Sequence, residues 1–96
     1  MARVIIEAQT ADNLKTLIGL ALENQLRIMG FGIAKTKRKL ETLEREYGIG
    51  SKAFYEEFQK GELGDDMKYI RWAGEYETLE RLQKDYTDLQ GLELCS

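Results

Sequence analysis

Apolar residues return at steps of three and four along most of this chain. Leu14, Leu17, Ile18, Ala21 and Leu22 make a first such face. The series Leu22, Leu26, Met29, Ile33, Thr36, Leu40, Leu43, Tyr47 then steps 4-3-4-3-4-3-4. That is a 3.5-residue period, the seam of a coiled coil. A second seam follows, marked by Tyr69, Trp72, Tyr76, Leu79, Leu82, Tyr86 and Leu89 and broadened by Ile70 and Ala73. The pattern predicts two long helices, 11–47 and 66–90, folded back on each other. The fold class is all-α: a long, coiled-coil-like antiparallel helical hairpin with a short helix at the turn.

Punctuation residues set the boundaries. Thr10 is the expected N-cap of the first helix, with Asp12 in its first turn. Gly48 is placed to take a left-handed conformation after Tyr47, with Ile49 folding back on the last turn. Ser51 is the expected cap of a short helix, 52–60, whose apolar side is Phe54, Tyr55 and Phe58. Gly61 ends it. Gly64 and Asp65-Asp66 open the last helix, and Gly91 closes it. Residues 2–8 are β-prone, so 1–9 are expected as an arm or strand and 91–96 as a tail; 3–7 and 92–95 are candidate terminal β segments. Gly30 and Gly32 each cost about 1 kcal/mol in a helix relative to Ala, yet the seam keeps its phase through them, which favours one continuous helix.

The two arms are unequal. At 1.5 Å per residue the first is roughly 54 Å long and the last roughly 37 Å. About 17 Å of the first helix is left over, and it carries Leu14, Leu17, Ile18, Ala21 and Leu22. These five residues are the candidate interface, for a second copy of the chain or for a different protein.

Composition narrows the chemistry. The chain has 96 residues, no proline, no histidine and one cysteine, Cys95. Without histidine there is no ordinary triad and no imidazole metal ligand. Cys95 has no adjacent base and no partner for an internal disulfide. Glu62, Asp65 and Asp66 suit a helix start as well as a cation. We expect no catalytic residues, no metal and no cofactor. The N-terminal apolar run, Val4-Ile5-Ile6, is shorter than the roughly 7–15 residues of a secretory signal, and no stretch is long enough to span a bilayer. The expected location is the cytoplasm.

Charge is uneven. Residues 1–47 carry eight basic and six acidic side chains, and residues 48–96 carry six and eleven. Two halves of opposite sign attract when folded together. The one basic cluster, Lys35, Lys37, Arg38 and Lys39, spreads over more than one helix face and is followed by Glu41, Glu44 and Glu46. It is a weak candidate for nucleic-acid phosphates and a better one for a solvated, ion-paired face. The aromatics Tyr47, Phe54, Tyr55, Phe58, Tyr69, Trp72 and Tyr76 gather near the turn, where a small core is expected.

The stretch from Leu40 to about Leu82 resembles small prokaryotic helical proteins of antitoxin type, encoded beside a small toxin gene of the TumE-like kind. The pattern is Glu46-Tyr47-Gly48, Ser51, Phe54, Phe58, Gly61-Glu62-Leu63-Gly64-Asp65-Asp66, Tyr69-Ile70, Trp72 and Glu75. It covers under half the chain and marks caps, turns and core rather than an active site. The resemblance implies a protein that binds and neutralises a cognate toxin. The expected function is a non-catalytic protein–protein interaction module, dimeric and antitoxin-like. A structural coiled-coil dimer and a DNA-binding autoregulator are the alternatives.

Overall fold

The computed structural model describes residues 8–94, with side chains from 11 to 92. Three helices run in order: α1 from Ala8–Tyr47, α2 from Ser51–Gln59 and α3 from Met67–Leu94. α1 and α3 pack antiparallel, and α2 lies across the turn between them. The molecule measures 60 × 27 × 20 Å, and the longest dimension is set by α1.

Burial of one face fixes the hairpin. Leu26, Thr36 and Leu40 of α1 are buried, and Met29, Ile33, Leu43 and Tyr47 are half-buried. On α3, Trp72 and Ala73 are buried, while Tyr69, Tyr76, Leu79, Leu82, Tyr86 and Leu89 are half-buried. Thr36 is accommodated in the seam because its hydroxyl donates to the Gly32 carbonyl, 2.9 Å away, so no polar atom is stranded. Gly30 and Gly32 sit inside an unbroken α1. A Cβ on Gly32 would meet Leu82 Cδ1 at 3.8 Å, an ordinary contact, and one on Gly30 would meet nothing.

The densest part of the core is at the turn. The Trp72 indole lies flat on Phe54, with centroids 3.8 Å apart and planes 6° apart. Tyr47 covers it at 5.3 Å. Leu40 and Ala73 close the cluster. The turn holds its shape through backbone chemistry: Gly48 at φ 70° donates its N–H to the Glu44 carbonyl at 2.8 Å. Gly61 at φ 76° ends α2, with its N–H on the Phe58 carbonyl and that of Glu62 on the Glu57 carbonyl. Both glycines occupy the left-handed region that side chains avoid. Asp66 caps α3, its Oδ1 accepting the Lys68 N–H at 2.8 Å.

Several boundaries differ from those expected. α1 is already helical at Ala8, the first described residue, against an expected start at 11, so Thr10 lies within it and Asp12 falls past its first turn. α2 starts at Ser51 and ends at Gln59, and its N-cap is Gly50. Ser51 does not cap: its Oγ accepts the Trp72 indole N–H at 2.9 Å. The Ser51 N–H instead donates to Glu44 Oε2 at 2.8 Å, so a carboxylate from α1 serves the start of α2. α3 starts at Met67 and runs through Gly91 to Leu94, against an expected span of 66–90. A glycine stops a helix by turning left-handed, and Gly91 keeps a negative φ. Residues 92–94 are therefore helical rather than strand. Ile70, expected to broaden the α3 seam, is 43% exposed. The segment 3–7 and Cys95 lie outside the described residues.

Candidate functional site

The unequal arms define the site. Gly32 faces Leu82, and Lys39 pairs with Glu75 at 3.1 Å. Both helices advance seven residues between these contacts, so one register holds over the interval. Carried twelve residues further, it sets Leu94, the last described residue of α3, level with Leu20. α1 continues for another twelve residues, from Gly19 back to Ala8. That is about 18 Å of helix beyond its partner. Both arms are longer than expected, and the overhang is nearly the same.

The structure splits the five candidate interface residues. Leu14, Leu17 and Ile18 lie on the overhang, 37%, 51% and 59% exposed. Ala21 and Leu22 lie level with the last turn of α3; Ala21 is exposed and Leu22 half-buried. Leu20, which periodicity alone did not single out, is 57% exposed beside them. The only charges between residues 13 and 34 are Lys15, Glu23 and Arg27. The arrangement can bury apolar surface and has little to offer a polar ligand.

Two further large apolar residues, Ile28 and Phe31, stand 53% and 69% exposed. They are on the stretch of α1 that α3 does cover, on its other side. At 100° per residue Ile28 lies about 130° and Phe31 about 170° from the seam residues Leu26, Met29 and Ile33, on a line with Leu17 and Ala21. A reading by sequence alone missed them because Met29, Gly32 and Ile33 interleave with them.

The basic cluster does not converge. Lys39 is held by Glu75, while Lys35, Lys37 and Arg38 are exposed and point round different sides of α1. Near the turn, Leu43, Tyr47 and Trp72 floor an open groove of about 450 Å³ rimmed by the Lys39–Glu75 pair, Glu46, Lys68 and Arg71. Its rim mixes both signs, so it does not select an anion.

Among the described residues, no group of three or more acidic or cysteine side chains is placed to hold a metal ion. Asp66 is occupied as a cap. Tyr55 hydrogen-bonds to Glu77, and Gln59 donates to its hydroxyl at 2.9 Å. The Glu77 hydrogen bond, with lesser help from burial, pushes the Tyr55 phenol up to about 12. A phenol so raised is a neutral donor at pH 7 rather than a nucleophile. No described helix is long and apolar enough to cross a membrane. No protein family model, curated protein or solved structure matches the chain.

Proposed function

We propose that this protein is a non-catalytic protein-interaction module that works as the antitoxin-like member of a toxin–antitoxin pair. The observation that supports it is the overhang of α1, where Leu14, Leu17 and Ile18 stand exposed with no described element over them. The resemblance of residues 40–82 to antitoxin-type proteins supplies the kind of partner. Binding buries the overhang against the toxin, and α2 with the Trp72 cluster keeps the other end of the hairpin rigid. The aliphatic character of the surface favours a protein partner over a nucleic acid.

The test is co-purification of the untagged protein with the product of its neighbouring gene. Burying a leucine or isoleucine side chain is worth about 1.5–3 kcal/mol. Leu14→Asp with Ile18→Asp should therefore weaken the complex by about 10²- to 10⁴-fold while leaving helicity at the turn unchanged. A double variant that binds its neighbour as tightly as the parent would refute this mechanism.

A further inference from the structure

α1 has two apolar faces, and the hairpin uses one. The outer face is the line Leu14, Leu17, Ala21, Asn24, Ile28, Phe31. Its steps are 3-4-3-4-3, a heptad pattern like that of the inner seam. It lies about 140° round the helix from the seam residues it runs beside, Leu22, Leu26, Met29 and Ile33. Leu14, Leu17, Ile28 and Phe31 are 37–69% exposed, and no charged side chain falls on the line. From Leu14 to Phe31 it runs about 26 Å, on a helix about 10 Å wide. An apolar strip on the order of 300 Å² is comparable with the largest patch of a typical monomer, a patch that is often functional. Two apolar lines on different sides allow one helix to touch two neighbours, as in a bundle. α3 is one neighbour.

The order of side chains along the strip identifies the other. Read from either end, it goes large, large, small or polar, small or polar, large, large. A two-fold interface requires such a pattern, because residue i must meet j while j meets i. We propose that the outer face of α1 seats the same face of a second copy, antiparallel, about an axis between Leu22 and Glu23. This deepens the interaction-module reading, on which it rests, by assigning one surface to self-association.

In this register Leu14 meets Phe31 of the other copy, Leu17 meets Ile28, and Ala21 meets Asn24. The two Asn24 side chains sit about 4.5 Å apart along the axis, three residues at 1.5 Å each. In the single chain the Asn24 Oδ1 accepts a hydrogen bond from Arg27, so the amide enters the interface with a bonded oxygen and an NH₂ free to cross the axis. A polar residue at one level of an apolar seam fixes register. The two Arg27 backbones stand about 13 Å apart along the axis, and each guanidinium is held by the Asn24 of its own copy. The dimer then layers as α3, α1, α1, α3. The overhang of each copy runs alongside the covered part of the other.

Light scattering over a micromolar to millimolar series should give twice the 11.1 kDa mass of the chain. Ile28→Asp with Phe31→Asp should return it to a monomer with helicity retained, since neither residue packs against α3. Orientation is read by cross-linking in a Cys95→Ser background. A mixture of L14C and F31C chains should form a disulfide-linked dimer, while neither chain alone should, its own sulfurs being about 26 Å apart along the axis. A monomeric parent, a dimer that survives I28D/F31D, or self-linking of L14C overturns the proposal. A monomeric parent that still captures its neighbour sinks this proposal and leaves the interaction-module reading standing. A monomeric I28D/F31D variant that still captures its neighbour supports both.

Discussion

Ser51→Ala is the sharpest test of how the turn is held together. Ser51 and Trp72 are 4% and 1% exposed, and the indole N–H donates to the hydroxyl at 2.9 Å. Removing the hydroxyl leaves a buried donor with no partner among the described residues, a loss of about 1–3 kcal/mol. Alanine repays up to about 0.5 kcal/mol as a better helix former. The net loss should be about 0.5–2.5 kcal/mol. For a domain of this size each kcal/mol moves the melting temperature by roughly 4–8 °C. A lost N-cap would cost a similar amount, so the single variant alone does not separate the two roles. The double-mutant cycle with Trp72→Phe does. Phenylalanine keeps a ring on Phe54 and removes the donor, so Ser51→Ala should be nearly neutral in that background. Thermal unfolding followed by far-ultraviolet circular dichroism, at one protein concentration, gives the four stabilities. An equal cost of Ser51→Ala in both backgrounds would show that the hydroxyl acts within α2 and refute the reasoning.

Gly30→Ala and Gly32→Ala should each stabilise the protein by about 1 kcal/mol, since both sit in regular helix with room for a methyl group; chemical denaturation checks this, and a destabilised G32A would mean that α3 needs the bare backbone there. Tyr55 holds its proton more tightly folded than unfolded, so its contribution is complete below about pH 10 and is lost as pH rises toward about 12. Phenolate absorbance should show the highest-pH titration step disappearing in Tyr55→Phe. Stability between pH 10 and 12 should fall less steeply in that variant than in the parent.

The hairpin was legible because a heptad seam and a left-handed glycine are local signals. Leu22 to Tyr47 keeps one phase, and Gly48, Gly61 and Gly64 interrupt the chain where a left-handed residue is needed. The role of Ser51 was not legible. Its hydroxyl serves an indole 21 residues away, and the carboxylate that serves its N–H comes from Glu44 on another helix. A serine ahead of an apolar run looks the same whether it caps or not. Gly91 misled for a related reason: glycine permits a helix end but does not compel one. The candidate interface was legible in part. Leu14, Leu17, Ile18, Ala21 and Leu22 were read as one face, but they belong to two: Leu22 and Ile18 continue the seam, while Leu17 and Ala21 begin the outer line. Only the register with α3 separates these, and only then do Ile28 and Phe31 join the second.

The distribution of charge along α1 argues that its two ends are built for different surroundings. From Lys35 to Tyr47, eight of thirteen residues are charged. This part is covered by α3 and α2 on one side, and its remaining circumference is dressed for water. From Asn13 to Ala34, three of twenty-two are charged, although this part has less protein over it. A helix exposed on most of its circumference is expected to be polar on most of it. The mismatch cannot come from the hairpin, which needs only the seam. The proposed dimer covers the outer face with a second copy, and the proposed protein partner covers the inner face beyond Leu94, where Ile18 continues the seam. A second copy laid along the outer face does not reach around to that inner surface. The two demands therefore leave room for both a dimer contact and a separate protein partner on one helix, and aspartate at Ile28 and Phe31 should disturb the first while aspartate at Ile18 alone should disturb mainly the second.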